Sequence, residues 1–398
     1  MVDSTAVARA LKVADRAAVP PFHVMDVLSA AQARRVSHGD VVSLAAGQPG
    51  TGAPAPVLDA AQHALREHGL GYTVQLGIPE LREAIAAHYA NEYALDVSPA
   101  DVIATTGSSG GFLLSFLAAF DPGDRVALAR PGYPAYRNIL TALGCEVVEL
   151  PCGADTRFQP TVELLDELVE RTGPISGLIV ASPANPTGTV LAPAELAAIS
   201  GWCTTHGVQL ISDEIYHGIS FGAEQACAWQ SSTEAVVINS LSKYFSMTGW
   251  RLGWMLVPQR LHRAVDCLTG NFNICPPALA QYAAPAAFGS EARGELDGHV
   301  RRYHTNRDLL LNGLREMGID KLAPADGAFY AWADISELTG DSMSFCQRLL
   351  ADTGVAVVPG IDFDPEAGSR YVRISFAGST ADVAEGVRRI GGWLSGTP

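Results

Sequence analysis

The sequence is short of basic residues. Its 398 residues include 27 Lys and Arg against 42 Asp and Glu, which gives a formal net charge of −15. A chain with this balance lacks the global positive field by which proteins attract nucleic acids or anionic membranes. We therefore expect neither a nucleic-acid partner nor a membrane partner, although a local basic pocket for a phosphate is compatible with this charge.

Paired cysteines are also missing. The seven cysteines are odd in number and form no C-x-x-C pair; they stand at positions 145, 152, 203, 227, 267, 275 and 346. This pattern argues against a metal ribbon or a disulfide framework, and free thiols are typical of a reducing compartment. No metal site is expected, because the ten histidines lack metal-ligand spacing as well.

Long apolar runs are absent too. The longest one, Gly111–Phe120, has about half of the ~20 residues that a membrane span needs. The charged, Ala-rich segment from Met1 to Val19 contains no uninterrupted apolar stretch of the signal-peptide kind. We therefore expect a cytoplasmic protein.

What the sequence has in quantity is apolar residues, which make up 48% of the chain against 17% charged residues. Such a chain can bury a large core. Short β-branched runs alternate with longer Ala- and Leu-rich segments, and the runs are nearly continuous in apolar residues, as in parallel strands covered on both faces. The pattern predicts strands at Val102–Thr106, Arg125–Ala129, Glu146–Leu150, Leu178–Ala181, Gln209–Ser212 and Ala235–Asn239, and helices at Gly111–Phe120, Pro134–Leu143 and Pro193–His206. This alternation favours an α/β fold with a mostly parallel sheet.

The pattern changes after about residue 290. One long amphipathic helix is predicted over Glu291–Met317, and shorter elements follow it. The predicted strands are Phe329–Ala333, Gly354–Val358 and Tyr371–Ser375, and the predicted helices are Ser342–Asp352 and Thr380–Leu394. We therefore expect a large domain over residues 46–290 and a smaller α/β domain over 291–398. Residues 1–45, which show no strand ladder of their own, are expected to join the smaller domain.

The most informative motif is Ser-Leu-Ser-Lys-Tyr-Phe-Ser-Met-Thr-Gly-Trp-Arg over residues 240–251. It directly follows a predicted strand, so Lys243 is expected at the carboxyl end of that strand, where open α/β sheets bind ligands. Ser240 and Ser242 precede the lysine, and Arg251 follows it. A lysine held among apolar groups and near a second cation loses its proton more readily and can act as an amine nucleophile. A lone lysine is more often a surface residue, so the other motifs decide the interpretation.

A glycine- and serine-rich turn follows the first predicted strand. Gly107, Ser108 and Ser109 open an apolar helix, where free backbone N–H groups, the helix dipole and two hydroxyls would all favour an anion. The turn is neither the dinucleotide fingerprint nor the nucleotide-triphosphate loop. Its plain alternative is an ordinary strand-to-helix turn.

Two more polar motifs end other predicted strands. Pro186 keeps Asn185 out of the helical region and displays its amide in a turn. Asp213 and Glu214 end the next strand, and because neighbouring strand residues face opposite sides, only one of them can face a given ligand. Each motif has a plain turn as its alternative, but four unrelated turns do not explain why all four motifs follow parallel strands.

Taken together and in order, these motifs resemble those of the pyridoxal-phosphate-dependent aminotransferases of class I and II. The resemblance covers roughly residues 20–395. The matching segments are Gly47-Gln-Pro, Gly-Tyr72-Thr, Pro79-Glu-Leu-Arg82, Asn185-Pro-Thr-Gly, Asp213-Glu-Ile-Tyr216, Ser-Leu-Ser-Lys243 and Arg373-Ile-Ser-Phe. The resemblance implies fold type I, with a large domain whose mostly parallel central sheet is flanked by helices, and a smaller α/β domain. It also implies pyridoxal 5'-phosphate as cofactor and a homodimer with shared active sites.

The resemblance further implies roles for matching residues. Lys243 would hold the cofactor as a Schiff base and carry a proton during the reaction, and Asp213 would pair with the pyridine nitrogen. Asn185 and Tyr216 would hydrogen-bond the phenolic oxygen, and Tyr133 would stack on the ring. The phosphate would be held by Gly107, Ser108, Ser109, Ser240 and Arg251, with help from Ser242 and from the partner subunit's Tyr72.

The substrate is expected to bind through Arg373, whose planar guanidinium suits an α-carboxylate, with Gly47 and Asn185 beside it. The stretch 271–276 lacks the second arginine of aspartate-selective relatives, and the apolar segment Pro20–Met25 and Phe329 would disfavour a buried carboxylate. We therefore expect amino transfer from a neutral, alanine- or branched-chain-type amino acid to 2-oxoglutarate or pyruvate, in two half-reactions.

Two alternatives stay open at this point. Aspartate can still be a donor, because other branches of the family recognise it with different side chains. A β-lyase or a cyclising synthase of the same fold is the other alternative, since the lysine, the aspartate and the phosphate loop do not distinguish these activities. His217, which follows Tyr216, is expected to be structural.

Overall fold

The computed structural model describes residues 12–396. Residues 1–11 therefore lie outside the described residues. Two predictions concern them, the lack of a signal peptide and their place in the N-terminal segment. The helices are α1 (His23–His38), α2 (Ala55–Glu67), α3 (Pro79–Tyr93), α4 (Gly107–Ala119), α5 (Pro134–Leu143), α6 (Val162–Thr172), α7 (Pro193–His206), α8 (His262–Phe272), α9 (Ala278–Ala283), α10 (Ser290–Glu316), α11 (Ser342–Thr353) and α12 (Thr380–Ser395). The strands are β1 (Val42–Ser43), β2 (Val102–Thr105), β3 (Arg125–Arg130), β4 (Glu146–Pro151), β5 (Gly177–Ala181), β6 (Gln209–Asp213), β7 (Val236–Ser240), β8 (Gly253–Leu256), β9 (Tyr330–Asp334), β10 (Val355–Ala356), β11 (Val358–Pro359) and β12 (Tyr371–Ser375).

The main sheet has seven strands in the order β2-β8-β7-β6-β5-β3-β4. Among the described strands of this sheet, only β8 runs antiparallel to its neighbours. The predicted α/β class with a mostly parallel sheet is therefore confirmed. The carboxyl ends of β2, β5, β6 and β7 lie on one edge, which brings the four polar motifs to the same side of the sheet.

Both faces of this sheet are buried. Along β5, Leu178 and Val180 pack in one hydrophobic cluster, while Ile179 between them packs in the cluster on the opposite face. Alternate residues of a strand point to opposite faces, so a strand covered on both sides must be apolar at nearly every position. This requirement explains why the six strands are visible in the sequence as continuous apolar runs.

Three details of the large sheet differ from the sequence prediction. The helix predicted from Gly111 begins four residues earlier, at Gly107, because the glycine- and serine-rich turn is itself the first turn of α4. β8 was not predicted, since its four residues follow closely on the lysine motif and show no pattern separate from it. Helices α2, α3, α6, α8 and α9 were likewise not predicted, nor was α1 outside this sheet.

The carboxyl-terminal region contains a three-stranded antiparallel sheet in the order β11-β12-β9. The single strand predicted at Gly354–Val358 is wrong: the segment forms two short strands, β10 and β11, which pair with different partners. Residues 1–45 also contain one short strand that was not predicted, because Val42 and Ser43 form β1 and pair in parallel with β10. A two-residue strand is too short to show alternation.

The first 45 residues and the carboxyl-terminal region are in direct contact. Helix α1 packs on β10 and β11, and β1 is hydrogen-bonded to β10. A hydrophobic cluster joins Val24 and Ala31 of α1 to Trp332, Val358 and Phe363. These contacts agree with the predicted association, while the division of the chain at residues 46 and 290 stays a prediction.

A buried glycine tests the packing between α4 and the sheet. A Cβ atom added at Gly177 would lie 2.3 Å from Cζ of Phe120, which ends α4, whereas a Cβ at Gly201 in α7 would meet nothing within 4 Å. We expect Gly177→Ala to lower the free energy of unfolding by about 1–3 kcal/mol through overpacking. Gly201→Ala should raise it by about 0.5–1 kcal/mol through helix propensity. Urea unfolding of both variants measures these changes, and equal effects would contradict the packing described.

Candidate active site

A cavity of about 340 Å³ lies at the carboxyl edge of the main sheet. The side chains that line it come from the ends of β5, β6 and β7, from the start of α4, from α1 and from the carboxyl-terminal sheet. Most of the residues predicted for the site meet here: Gly47, Ser108, Ser109, Tyr133, Asn185, Asp213, Tyr216, Ser242, Lys243, Arg251 and Arg373. The structure therefore brings together motifs that are separated by up to about 330 residues in the chain.

Lys243 stands just beyond the end of β7 and is one of three lysines in the sequence. Its Nζ donates a hydrogen bond to the carbonyl oxygen of Gly47 at 2.5 Å and lies 5.4 Å from the ring centre of Tyr216. The pKa of this amine is lowered from the ordinary 10.5 to about 8, mainly by burial and also by the positive charges of Arg373 and Arg251, against the opposing charge of Asp213. The neutral fraction near neutral pH is therefore larger than that of an ordinary lysine, which makes the amine a usable nucleophile and base.

Asp213 ends β6 with both carboxylate oxygens held. One oxygen accepts a hydrogen bond from the backbone N–H of Ile215 at 3.0 Å, and the other accepts one from the hydroxyl of Tyr136. Burial raises the pKa of Asp213 to about 6, while the two hydrogen bonds and the charge of Lys243 act in the opposite direction. The carboxylate is thus fixed in direction and faces the cavity.

Glu214 turns away from the cavity, as the alternation along a strand predicts for one of the two acids. It accepts hydrogen bonds from the hydroxyl of Ser212 at 3.0 Å and from the backbone N–H of Ala228 at 2.8 Å. His217 lies behind it, with Nδ1 2.7 Å from the hydroxyl of Tyr93, and does not line the cavity. These contacts agree with a structural place for His217.

The first turn of α4 and Arg251 form a cup for an anion. Gly107 has a φ of +67°, and a Cβ atom there would lie 2.5 Å from Nη2 of Arg251. Only glycine therefore allows the guanidinium to approach the helix end this closely. Ser108 and Ser109 line the cavity beside it, and the N-terminal N–H groups of α4 add donors. This donor set suits a phosphate.

The two serines before Lys243 are placed differently. Ser242 lines the cavity, whereas Ser240 is buried behind it. The hydroxyl of Ser240 donates to that of Ser242 at 2.7 Å and accepts from the backbone N–H of Ser242 at 3.0 Å. Ser240 was predicted to hold the phosphate directly and Ser242 to assist. In the structure Ser242 lines the cavity and Ser240 lies behind it, so Ser242 is the better placed of the two for a direct contact.

Arg373 is the most enclosed cation of the site, with 2% of its surface exposed. Its guanidinium lies between the rings of Tyr330 and Phe363, at 4.4 and 4.8 Å from their centres. Nη1 donates to the side-chain oxygen of Asn185 at 3.0 Å and Nη2 to the carbonyl oxygen of Ala45 at 2.9 Å. The buried Nε finds no hydrogen-bond partner among the described residues, so the group keeps unused capacity for an anion.

Sequence reasoning missed two tyrosines of the site. Tyr136 lies in the first turn of α5, three residues after Tyr133. This spacing places the two side chains on one helix face and is a signal from which Tyr136 could have been predicted. Tyr330 shares a 2.8 Å hydrogen bond with the hydroxyl of Tyr216 and lines the cavity. Its neighbour Phe329, which was expected to disfavour a substrate carboxylate in the site, is fully buried in the core instead, because adjacent residues point in opposite directions.

Tyr72 lies outside the cavity of its own chain. It is 83% exposed and borders a surface depression together with Leu70, Cys275 and Pro276. Several other apolar side chains are exposed, among them Val74, Phe272 and Ile274. The structure of one chain therefore does not bring Tyr72 to the residues with which it was grouped.

No helix within residues 12–396 is long and apolar enough to cross a membrane. No group of three or more His, Cys, Asp or Glu side chains in the same part is arranged to hold a metal ion.

Comparisons with known proteins match this geometry. Residues 39–390 match the family described as "Aminotransferase class I and II". The valine–pyruvate aminotransferase of Mycobacterium tuberculosis is 63% identical over 385 residues, which cover 96% of this chain and 98% of that protein. A crystal structure of an aminotransferase from Mycobacterium tuberculosis has a TM-score of 0.96 at 62% identity and covers 98% of this chain and 100% of its own. The aspartate aminotransferase of Thermus thermophilus, solved with maleate, has a TM-score of 0.91 at 32% identity and covers 96% and 99%.

The charge environment of Lys243 predicts how this amine titrates. In the protein without any bound small molecule, acetylation by trace acetic anhydride should increase with pH, with its midpoint near pH 8, and level off once the pH is well above the pKa and the amine is neutral. Lys321, which is paired with Glu337 and has a raised pKa, should keep gaining reactivity above pH 10. Peptide mass spectrometry follows both lysines in one sample. A midpoint above pH 10 for Lys243 would contradict the electrostatics described.

Proposed function

Because this chain belongs to the aminotransferases of class I and II, we propose that it transfers the amino group of a neutral branched-chain amino acid of the valine type to pyruvate or 2-oxoglutarate, with pyridoxal 5'-phosphate as cofactor. The transfer of an amino group from an amino acid to a 2-oxo acid follows from the family. The donor, the acceptor, the cofactor and the roles of individual residues are the proposal.

The lining of the cavity carries the choice of donor. Within residues 12–396, the basic residues that line the cavity are Lys243, Arg251 and Arg373. Each of the three has a place in the proposed reaction. The remaining wall includes four apolar side chains of the N-terminal segment, namely Phe22, Val24, Met25 and Leu28. A second carboxylate on the substrate would have to be buried against this wall without a partner, which is costly. A branched apolar side chain gains free energy there instead.

The name of the Mycobacterium tuberculosis relative, valine–pyruvate aminotransferase, points to the same donor and to pyruvate as acceptor. That relative is 63% identical to this chain along nearly its whole length. The 32% identical structure is an aspartate aminotransferase, so the family alone does not fix the donor, and the cavity wall is needed for the argument.

The cofactor fits the residues present. Gly107 leaves room for Arg251 at the start of α4, and Ser108, Ser109 and Ser242 add hydroxyls, so this end of the cavity suits the phosphate. Asp213, held by Tyr136 and the Ile215 N–H, suits a protonated pyridine nitrogen. When bound, the cofactor supplies a ring that withdraws electrons and stabilises negative charge at the α-carbon of an amino acid.

Each remaining residue has a task that its surroundings support. Lys243 would hold the cofactor through Nζ, and its neutral amine would accept and return the proton of the substrate α-carbon, which a pKa of about 8 favours. Arg373 binds the α-carboxylate, and its contacts with Asn185 and Ala45 fix its direction. Asn185, Tyr216 and Tyr133 line the cavity; the first two would hydrogen-bond the phenolic oxygen of the cofactor, and Tyr133 would cover its ring.

The exposed surface around Tyr72 supports a homodimer with shared sites as part of the proposal. Tyr72, Val74, Phe272 and Ile274 are each at least half exposed, and clustered exposed apolar side chains are typical of subunit interfaces. In such a dimer, Tyr72 would reach the phosphate end of the partner's cavity. We also propose a cytoplasmic location, which the seven free cysteines support.

Donor choice is tested with the purified protein loaded with pyridoxal 5'-phosphate. Valine and pyruvate should react to give alanine and the 2-oxo acid derived from valine in equal amounts, and no ammonia should be released. Aspartate should react at least about 100-fold less efficiently in kcat/KM, because its carboxylate has no partner in the wall. Coupled assays of both products and of ammonia measure this.

The Lys243→Ala variant is the control for that assay and should be inactive. Borohydride treatment of the loaded wild type should attach the cofactor to the peptide that contains Lys243. A preference for aspartate would overturn the donor proposal, and release of ammonia would favour a lyase.

The dimer is tested by sedimentation and by cofactor retention. We expect a mass of two chains, and we expect Tyr72→Phe to weaken retention of the cofactor about tenfold through loss of one hydrogen bond to a charged group. Tyr371→Phe, in the carboxyl-terminal sheet, is the matched control and should retain the cofactor as the wild type does. A monomer, or equal retention by all three proteins, would contradict the shared site.

A further inference from the structure

We propose that Asp362 is a positioning residue that holds the apolar wall of the cavity at a fixed place, and that it thereby sets the preference for branched over small donors. The proposal rests on the proposed function, because it presupposes a donor with an apolar side chain. Asp362 does not line the cavity, so it acts through the segment that it holds.

Asp362 caps helix α1 from a distant part of the chain. The residue before the helix, Phe22, has no side-chain acceptor for the first N–H groups. The two carboxylate oxygens of Asp362 accept these hydrogen bonds instead, one from His23 N–H at 2.9 Å and the other from Val24 N–H at 2.7 Å. Asp362 is 4% exposed, and a negative charge at a helix N-terminus is stabilising there.

The capped turn is the part of α1 that reaches the cavity. Phe22, Val24, Met25 and Leu28 all line it. The ring of Phe22 also meets the ring of Tyr133 edge to face, with 6.2 Å between centres. The position of this apolar wall therefore depends on how the first turn of α1 is held.

The segment around Asp362 also touches the other walls of the cavity. The ring of Phe363 packs against the Arg373 guanidinium, and its carbonyl oxygen accepts a hydrogen bond from Gly132 N–H at 3.0 Å, next to Tyr133. A carboxylate oxygen of Asp364, Oδ1, lies 3.5 Å from Nε of Arg130 in β3. Asp362 therefore ties the apolar wall to the same short segment that supports the carboxylate anchor and the main sheet.

The far end of α1 is held separately. Arg34 pairs with Asp40 at 2.6 Å and donates to the carbonyl oxygen of Ala351 at 2.5 Å. Loss of Asp362 should consequently loosen the first turn while the rest of the helix stays attached. A substrate side chain that leans on this turn then loses contact, whereas binding at Arg373 and chemistry at Lys243 continue.

The test compares Asp362→Ala with Asp341→Ala. Asp341 caps α11 through a 3.0 Å hydrogen bond from Ser344 N–H, away from the cavity, so its removal also deletes a carboxylate cap at a helix N-terminus but leaves α1 untouched. Asp362→Asn, which keeps one acceptor oxygen, is the milder variant if Asp362→Ala folds poorly. Valine and alanine are the donors, both with 2-oxoglutarate, and the loaded enzyme is used throughout.

We expect the ratio of kcat/KM for valine to that for alanine to fall about five- to tenfold in Asp362→Ala, since the two donors differ by two methyl groups. The loss should appear in KM for valine, with kcat for alanine within about twofold of wild type. Asp362→Asn should lie between, and Asp341→Ala should leave the ratio unchanged. An unchanged ratio in Asp362→Ala, or an equal fall in Asp341→Ala, would overturn the proposal.

A second readout does not depend on the donor. Amide hydrogen exchange in the peptide covering residues 20–30 should become faster in Asp362→Ala and not in Asp341→Ala. If the wild type accepts neither valine nor alanine, the proposed donor class is wrong, and hydrogen exchange still decides whether Asp362 holds this turn. Unchanged exchange in Asp362→Ala would refute the positioning role on its own.

Discussion

The site depends on one electrostatic constraint, the burial of Lys243 between two guanidinium groups and one carboxylate. Desolvation and the charges of Arg373 and Arg251 favour the neutral amine, and Asp213 opposes them without neutralising both. The rest of the architecture keeps these charges apart at fixed places. Arg373 is held by Asn185 and Ala45, and Asp213 by a tyrosine and a backbone N–H. Few of these supports are close in sequence, so the fold has to be complete before the lysine has its reactivity.

Much of this arrangement can be predicted from the sequence, because it depends on local patterns. Six of the seven strands of the main sheet are visible in the sequence as mainly apolar runs, because interior strands such as β5 are buried on both faces. Their carboxyl ends carry Asn185, Asp213 and Lys243, and the topology of a parallel sheet brings such residues together. Long helices such as α10 show their period clearly. Family resemblance then links Arg373 to the same site from a separate sheet.

The parts that could not be predicted depend on contacts with distant residues. β1 and β10 have two residues each and exist because they pair with one another across more than 300 residues. Tyr330 and Phe329 are adjacent in the sequence and point in opposite directions. Only the packing of the folded chain determines that Tyr330 is the one that faces the cavity. The cap of α1 comes from Asp362, while the residue before the helix offers none. The place of Tyr72 could not be derived from the contacts of one chain either, because in the proposed dimer the residues around Tyr72 belong to the other subunit.

The placement of the apolar wall on α1 has a consequence for how such enzymes diversify. The wall is contributed by a helix outside the main sheet, whereas the lysine, the aspartate and the anion cup are built on the sheet itself. On the proposed function, mutations at Phe22, Val24, Met25 or Leu28 would alter donor choice while the reactive groups stay untouched. New substrate ranges would then arise from changes in one short segment, through intermediates that keep the lysine, the aspartate and the anion cup.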